Sequence, residues 1–262
     1  RRTARMVAML AGERIAARVG RLRRAAPGLV FPWACAGCDA ELQAGAEGPS
    51  SFCDRCLEQI AFHAGATCNR CAAKVPAIVS ERNSCFLCRG TKLWFDAAVA
   101  MAAYDGLLRE WLLEMKHRHG ERRSLALAEL LWERCGERIA AMRPDVVVPV
   151  PMHWRRRLVR GTNSPSLLAE VIARRLRVPL AAAMCRRTRN TPPQSSVSPS
   201  ERPGNVRGAF SLAAGYHLEC ARVLVVDDIL TTGSTCSALA RVLKRGGASQ
   251  VGVVVIGRAG TH

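Results

Sequence analysis

Residues 223–235 read Val-Leu-Val-Val-Asp-Asp-Ile-Leu-Thr-Thr-Gly-Ser-Thr, and that order leaves the chain few folds to choose from. A short run of aliphatic, mostly β-branched residues is the pattern of a strand buried on both faces, as in a parallel sheet. Two carboxylates, Asp227 and Asp228, close the run. A hydroxyl-rich turn follows, and residues 234–244 then carry a helical pattern. A strand–turn–helix of this kind aims backbone N–H groups and hydroxyls at one point, where the orphan donors and the helix dipole favour an anion. Gly233 lets the main chain approach that anion closely. Carboxylates repel a phosphate, so Asp227 and Asp228 suit neighbouring hydroxyls or a divalent cation instead. The run therefore reads as a site for phosphate and diol side by side, a ribose 5-phosphate. The plain alternatives are an unrelated phosphate loop or a strand–turn–helix with no ligand.

The rest of the C-terminal region has the same grain. Residues 93–103 predict a strand, and residues 104–116 and 122–142 predict helices. In the second helix, apolar residues such as Leu125, Ala128, Leu131, Trp132 and Cys135 recur at steps of three and four. Residues 146–150 and 251–256 predict buried strands, 178–183 a short strand and 164–176 a helix. Strand and helix alternate, which predicts an α/β domain with a mostly parallel sheet flanked by helices. Residues 186–209 are rich in Pro, Ser and Arg without apolar periodicity, so they read as a long functional loop.

Eight cysteines stand ahead of this domain as four Cys-x-x-Cys pairs: Cys35 and Cys38, Cys53 and Cys56, Cys68 and Cys71, Cys85 and Cys88. The intervals between pairs are 14, 11 and 13 residues. One such turn aims two thiolates at one ion, and two turns complete a tetrahedral zinc site, so eight thiolates predict two structural zincs. Disulfides would need an oxidising compartment, and no convincing signal peptide precedes the pairs. A single redox centre does not need four spaced copies. Sequential pairing, first pair with second and third with fourth, is expected over an interleaved arrangement. Cys135, Cys185, Cys220 and Cys236 read as small core residues.

Charge is uneven over the 262 residues. The formal net charge is +18, and residues 1–34 hold eight Arg against one Glu. Residues 35–95 balance six basic against six acidic groups, and residues 150–210 hold twelve Arg with only Glu170 and Glu201. A field of that sign favours a polyanion, either nucleic acid, acidic lipid or a phosphorylated small molecule. Residues 6–25 have amphipathic helical spacing, open to a surface helix or a loosely ordered leader. No apolar run is long enough to span a bilayer. The expected organisation is a basic leader over 1–30, a zinc-ribbon module over 31–92 and an α/β domain over 93–262. Pro149 and Pro151 stiffen the turn after the strand at 146–150. Arg155, Arg156, Arg157 and Arg160 would then lie near the sheet edge that carries Thr231–Thr235, and guanidinium groups there suit pyrophosphate.

The 223–235 run resembles the phosphoribosyl pyrophosphate (PRPP) motif of the type I phosphoribosyltransferases. That resemblance implies that Asp227 and Asp228 contact the ribose hydroxyls as the catalytic carboxylates. It implies that Thr231, Thr232, Gly233, Ser234 and Thr235 hold the 5-phosphate, and that magnesium bridges pyrophosphate and ribose oxygens. Arg155 and Arg157 complete the expected PRPP-binding set. Further segments resemble the ComF family of competence proteins: Tyr104-Asp-Gly-Leu-Leu-Arg109 leading to Lys116, Val147-Val-Pro-Val-Pro-Met-His-Trp-Arg-Arg-Arg157, Arg160-Gly-Thr-Asn163, Arg187-Thr188, Thr191-Pro-Pro-Gln194 and Asn205-Val-Arg-Gly-Ala-Phe210. So does a cysteine-rich zinc module ahead of a transferase-like domain. The likeness covers residues 30–260. Members usually continue Arg-Gly-Phe-Asn-Gln after the first strand, where this chain has Thr162 and Ser164, and they usually carry a run of Arg where this chain reads Glu201-Arg-Pro-Gly204.

The resemblance implies a cytoplasmic protein linked to DNA uptake and natural transformation. Two functions stay open. One is a glycosyltransferase that moves phosphoribose from PRPP to an acceptor with magnesium. The other is a non-catalytic PRPP sensor that binds single-stranded DNA or a helicase of the competence machinery. For the first, residues 186–209 resemble a lid with Arg187 and Arg207 as candidates. Against it, Phe210 and Tyr216 are the only aromatics in 210–262 for a flat acceptor to stack on. For the second, stacking residues are sparse beyond Trp33, Trp94, Trp111, Trp132 and Trp154.

Overall fold

The computed structural model describes residues 34–42, 51–63, 65–76, 85–117, 120–153, 163–189, 198 and 201–260. The basic leader over 1–30 lies outside them. The chain divides into two compact units, Arg1–Leu57 and Glu58–His262, and the eight-cysteine stretch spans both.

In the first unit, Cys35 opens a tight knuckle. Its N–H donates to the Ala40 carbonyl (2.7 Å), its carbonyl accepts from Asp39 N–H (3.0 Å), and Ala34 bridges Glu41 antiparallel. Asp39 takes the left-handed conformation at φ 57° to close it. The short helix α1 (Asp54–Glu58) carries Cys56 on its buried side. The second unit repeats the knuckle residue for residue. Cys68 N–H donates to Ala73 O (2.8 Å), Thr67 bridges Lys74, and Ala72 sits at φ 57°. The same register of Cys-x-x-Cys followed by one left-handed residue explains why two sequences with little else in common fold alike.

The second unit is built on a four-stranded parallel sheet. In chain order it holds β1 (Ala97–Ala103), α2 (Gly106–Glu114), α3 (Glu121–Ala141), β2 (Val146–Pro149), α4 (Ser164–Leu176), β3 (Cys185–Arg187), α5 (Arg202–Asn205), β4 (Phe210–Leu212), β5 (Arg222–Leu230), α6 (Ser234–Arg245) and β6 (Gln250–Arg258). The sheet order is β1-β6-β5-β2, all parallel, while β3 and β4 pair antiparallel by themselves. Val223–Asp227 of β5 are all buried, so both faces of the sheet are covered, as parallel sheets require. Helices α3 and α4 pack on each other and against β1, β2 and β5, whereas α6 packs on β5 and β6. The outer edge of β1 is not bare: Phe62 bridges Ala102, His63 N–H donates to Met101 O (3.0 Å), and Ala103 N–H donates to Ala61 O (2.9 Å). Among the described residues no helix is long and apolar enough to cross a membrane.

The α/β expectation therefore stands, with local differences. The strand expected at 93–103 starts at Ala97, because Lys92–Phe95 run as a separate strap. The strand expected at 178–183 is a single parallel bridge from Leu180 to Val147. Pro179 has no N–H to donate, so the ladder there is limited to its carbonyl and the Ala181 N–H. The described ends of the 186–209 loop are ordered: β3 and β4 close a hairpin-like pair and α5 makes one helical turn between them. Residues 190–197 and 199–200 lie outside the described set. Cys135, Cys185 and Cys236 are buried as expected, but Cys220 is exposed at φ 61°, a left-handed surface turn rather than core.

Candidate functional site

The carboxyl end of β5 carries the site. Strand β2 runs beside it in register from Val146 to Pro149, and Val150 N–H donates to Val226 O (2.8 Å). Beyond that bond β2 has ended, and Asp227 and Asp228 stand past their neighbour. This is the edge at which open α/β sheets take ligands. The segment that leaves Val150 leads into residues 154–162, so Arg155 and Arg157, like Arg156 and Arg160, fall outside the described residues. His153 is buried, in keeping with a structural role.

Asp227 and Asp228 differ sharply in surroundings. Asp227 is buried; its Oδ1 accepts from Asp228 N–H (3.0 Å), and Oδ2 accepts from Cys236 Sγ (3.7 Å). Burial first, and the Asp228 charge second, push the Asp227 carboxyl well above the usual carboxylate range. Burial and the same two aspartates push the Cys236 thiol up as well, so it serves as a proton donor and not a thiolate. Asp228 is half-buried, and Lys116 Nζ lies 3.5 Å from its Oδ2. Lys116 reaches it from the turn after α2. That turn is pinned by Ser164 Oγ donating to Met115 O (3.0 Å). It also needs Gly120, where a Cβ would lie 2.4 Å from the Met115 carbonyl oxygen.

The hydroxyl turn follows without a gap. Thr232 Oγ1 and Ser234 Oγ are 2.7 Å apart, and Ser234 N–H points at Thr232 Oγ1 (3.4 Å). Gly233 takes φ 77°, which a side chain would strain, and a Cβ there would meet Leu93 and Phe95 at 3.3–3.4 Å. Gly233 caps α6 with no side chain, and the first turn of α6 holds no acid. The helix end thus presents donors to an anion from outside. Thr231, Thr232, Gly233, Ser234 and Thr235 are brought together with Asp227, Asp228 and Lys116 at one edge.

An expected outcome follows from Asp227. Its proton is held more tightly folded than unfolded, so its contribution to stability is full below the unfolded value of about 3.9 and is lost as pH rises through the folded value. Asp227→Asn removes that loss. Without ligand it should melt higher than the parent at pH 7, and the gain should shrink toward pH 4. Melting curves from pH 4 to 8 test this; an equal gain at every pH would contradict it.

Each cysteine group is also assembled. In one, Cys35, Cys38, Cys53 and Cys56, and in the other, Cys68, Cys71, Cys85 and Cys88, all Sγ atoms lie within 4.8 Å of one another, which is the sequential pairing. A tetrahedral zinc with bonds of about 2.3 Å sets its sulfurs about 3.8 Å apart. Cys38–Cys53, Cys68–Cys88, Cys71–Cys85 and Cys85–Cys88 stand at 3.7, 3.8, 3.6 and 3.8 Å. The donor set and its spacing fit a structural zinc. Burial would raise the Cys35 thiol, but N–H donors from Cys53, Cys38 and Gly37 bring it down to about 7, which readies it as a ligand.

A phosphoribosyl transferase domain model matches residues 164–261, and a double zinc ribbon domain model matches residues 27–89. Competence protein F of Haemophilus influenzae is 26% identical over 87% of this chain and 98% of its own length. In domain order and over most of its length the chain is similar to ComF-type competence proteins. The DNA utilization protein YhgH of Escherichia coli is a second relative, 29% identical over 86% of this chain and 96% of its own. An adenine phosphoribosyltransferase of Mycobacterium tuberculosis is 44% identical over 45 residues, 17% of this chain. The transferase match begins at α4, and the structure carries the same sheet back to β1 and the strap ahead of it.

Three participants are not expected at the site from the sequence: Lys116, Cys236, which reads only as a core residue, and the Leu93–Phe95 strap, which reads only as part of a strand. Lys116 is 112 residues from Asp228. Its signal was present only as a quoted stretch of the ComF resemblance. Phe210, noted as an acceptor platform, is buried with the Arg187 guanidinium 5.5 Å above its ring, so it offers no open wall.

Proposed function

We propose that the Asp227–Thr235 edge binds PRPP with magnesium. The observation that carries it is the juxtaposition of the Asp227–Asp228 pair with a side-chain-free helix end across a left-handed glycine. The turn from Thr231 to Thr235 holds the 5-phosphate, and the two aspartates hold the ribose hydroxyls. The oxygen donors at the site suit magnesium, which when bound supplies charge neutralisation for the pyrophosphate. Arg155 and Arg157, following β2, grip the pyrophosphate as it departs. Transfer to an acceptor passes through an oxocarbenium-like transition state, to which the protein contributes positioning.

The likeness to Competence protein F and to the DNA utilization protein YhgH supports DNA uptake or related DNA handling as the setting for this ligand. The test is to mix the full chain with PRPP and magnesium, follow binding by calorimetry, then add a panel of nucleobases and watch for pyrophosphate. Saturable binding supports the site, and release of pyrophosphate makes it an enzyme. No binding removes the reading.

A non-catalytic PRPP sensor that binds single-stranded DNA or a helicase partner is the second reading, favoured by the +18 net charge and its concentration in arginine-rich stretches. Single-strand affinity should then fall steeply with salt, by about 0.7 log units per log unit of salt for each phosphate neutralised. A flat response would remove DNA as a partner.

A further inference from the structure

Arg258, the last residue of β6, lies behind the phosphate turn and is buried. Its Nη1 donates to Leu230 O (3.1 Å), to Thr231 O (2.7 Å) and to Ala259 O, and its Nε donates to Cys71 O (2.8 Å). One planar group thus joins the second cysteine knuckle to the residue that opens the phosphate turn. The partners of its Nε and Nη1 are all carbonyls, and among the described residues no carboxylate pairs with the guanidinium.

A second, independent contact leads the same way. The strap after the last cysteine pair runs under the first turn of α6: Trp94 N–H donates to Ser237 Oγ (3.0 Å), and Ser237 Oγ donates to Lys92 O (3.4 Å). Leu93 and Phe95 fill the space beside Gly233, and Arg70 from the first knuckle of that cluster donates to Leu93 O (3.1 Å).

We propose that Arg258 is a positioning residue that couples occupancy of the second cysteine cluster to the geometry of the phosphate turn. When the cluster holds its ion, the Cys71 carbonyl fixes the guanidinium. The guanidinium then fixes the Leu230 and Thr231 carbonyls and so sets where the following N–H groups point. Releasing the cluster loosens the turn and weakens phosphate affinity while β5 itself stays folded. The affinity arm of the test rests on the phosphoribosyl reading above.

The experiment is a double-mutant cycle in the full chain, combining Arg258→Gln with Cys88→Ser, which opens the second cluster. The readouts are zinc content, hydrogen exchange of residues 231–237 against residues 223–226, and the dissociation constant for ribose 5-phosphate. Arg258→Gln should weaken ribose 5-phosphate binding about tenfold, keep two zincs, and speed exchange in 231–237 while leaving 223–226 protected. Arg258→Lys, which keeps a cation but loses the fork, should recover part of the affinity. Cys88→Ser should loosen the same turn, and the pair should be less than additive because both cut one connection. Additive effects, or an unchanged turn in Arg258→Gln, overturn the proposal. If either variant fails to fold, exchange of 231–237 in the parent before and after zinc removal decides: no change there overturns it. If the parent itself binds no ribose 5-phosphate, the PRPP reading falls, while the exchange measurement still tests the connection.

Discussion

Asp228→Ala should lose PRPP binding by about 100-fold or more while keeping about two zincs per chain. The magnitude follows from the two hydrogen bonds that a carboxylate accepts from vicinal hydroxyls, each charge-assisted contact contributing about 1.5–3 kcal/mol. The side chain is half-buried and pairs with Lys116, so its removal does not open a cavity in the sheet. Lys116 would remain beside the buried Asp227, and the fold loses no apolar contact of β5. The zinc groups share no ligand with this edge. Calorimetric titration with PRPP and a metal assay on the same sample check both halves. Binding at parental strength would mean that the ligand sits elsewhere.

Removing zinc should unfold residues 34–42 and 51–57 while leaving the parallel sheet intact. The described part of that first unit buries Cys35, Ala36, Phe52 and Cys56, and Phe52 is the one large apolar side chain among these. Burying such a side chain contributes about 1.5–3 kcal/mol, whereas a structural zinc contributes about 10–16 kcal/mol of folding free energy. The ion therefore outweighs the packing there by several-fold. The sheet rests on other ground. Val146–Val148, Val223–Val226 and Val253–Ile256 are buried between packed helices. Hydrogen exchange before and after chelation should show protection lost across 34–42 and 51–57 and kept across 223–226. Survival of protection at Cys35–Ala40 in zinc-free protein would contradict the assignment. Because protons compete for thiolates, zinc release should also come sooner on acidification.

Much of this architecture could be read from the chain alone, and the misses have physical causes. The buried strand β5, its acidic pair and α6 are contiguous, so one local run encoded strand, turn and helix together. The two cysteine groups were legible because ligand spacing is a local property, and sequential pairing joins neighbours. Lys116 and Arg258 were not legible, because their partners lie 112 and 27–187 residues away and neither breaks a local pattern. An arginine ending a strand looks like any solvated arginine until the fold buries it against carbonyls. The β3–β4 pair was hidden by its setting: three-residue strands beside Pro- and Ser-rich stretches have too little alternation to register. Leu180 was over-read for the opposite reason, since an apolar run beside Pro179 has the composition of a strand but lacks a donor for its ladder.

The short segment from Ala61 to His63 has a role beyond its size. By occupying the outer side of β1 it covers backbone groups that would otherwise invite another sheet to add on. A protease that trimmed the chain between His63 and β1 and let this segment go would release a sticky, self-complementary border. The expected product is filamentous or amorphous aggregate in place of a tidy α/β fragment.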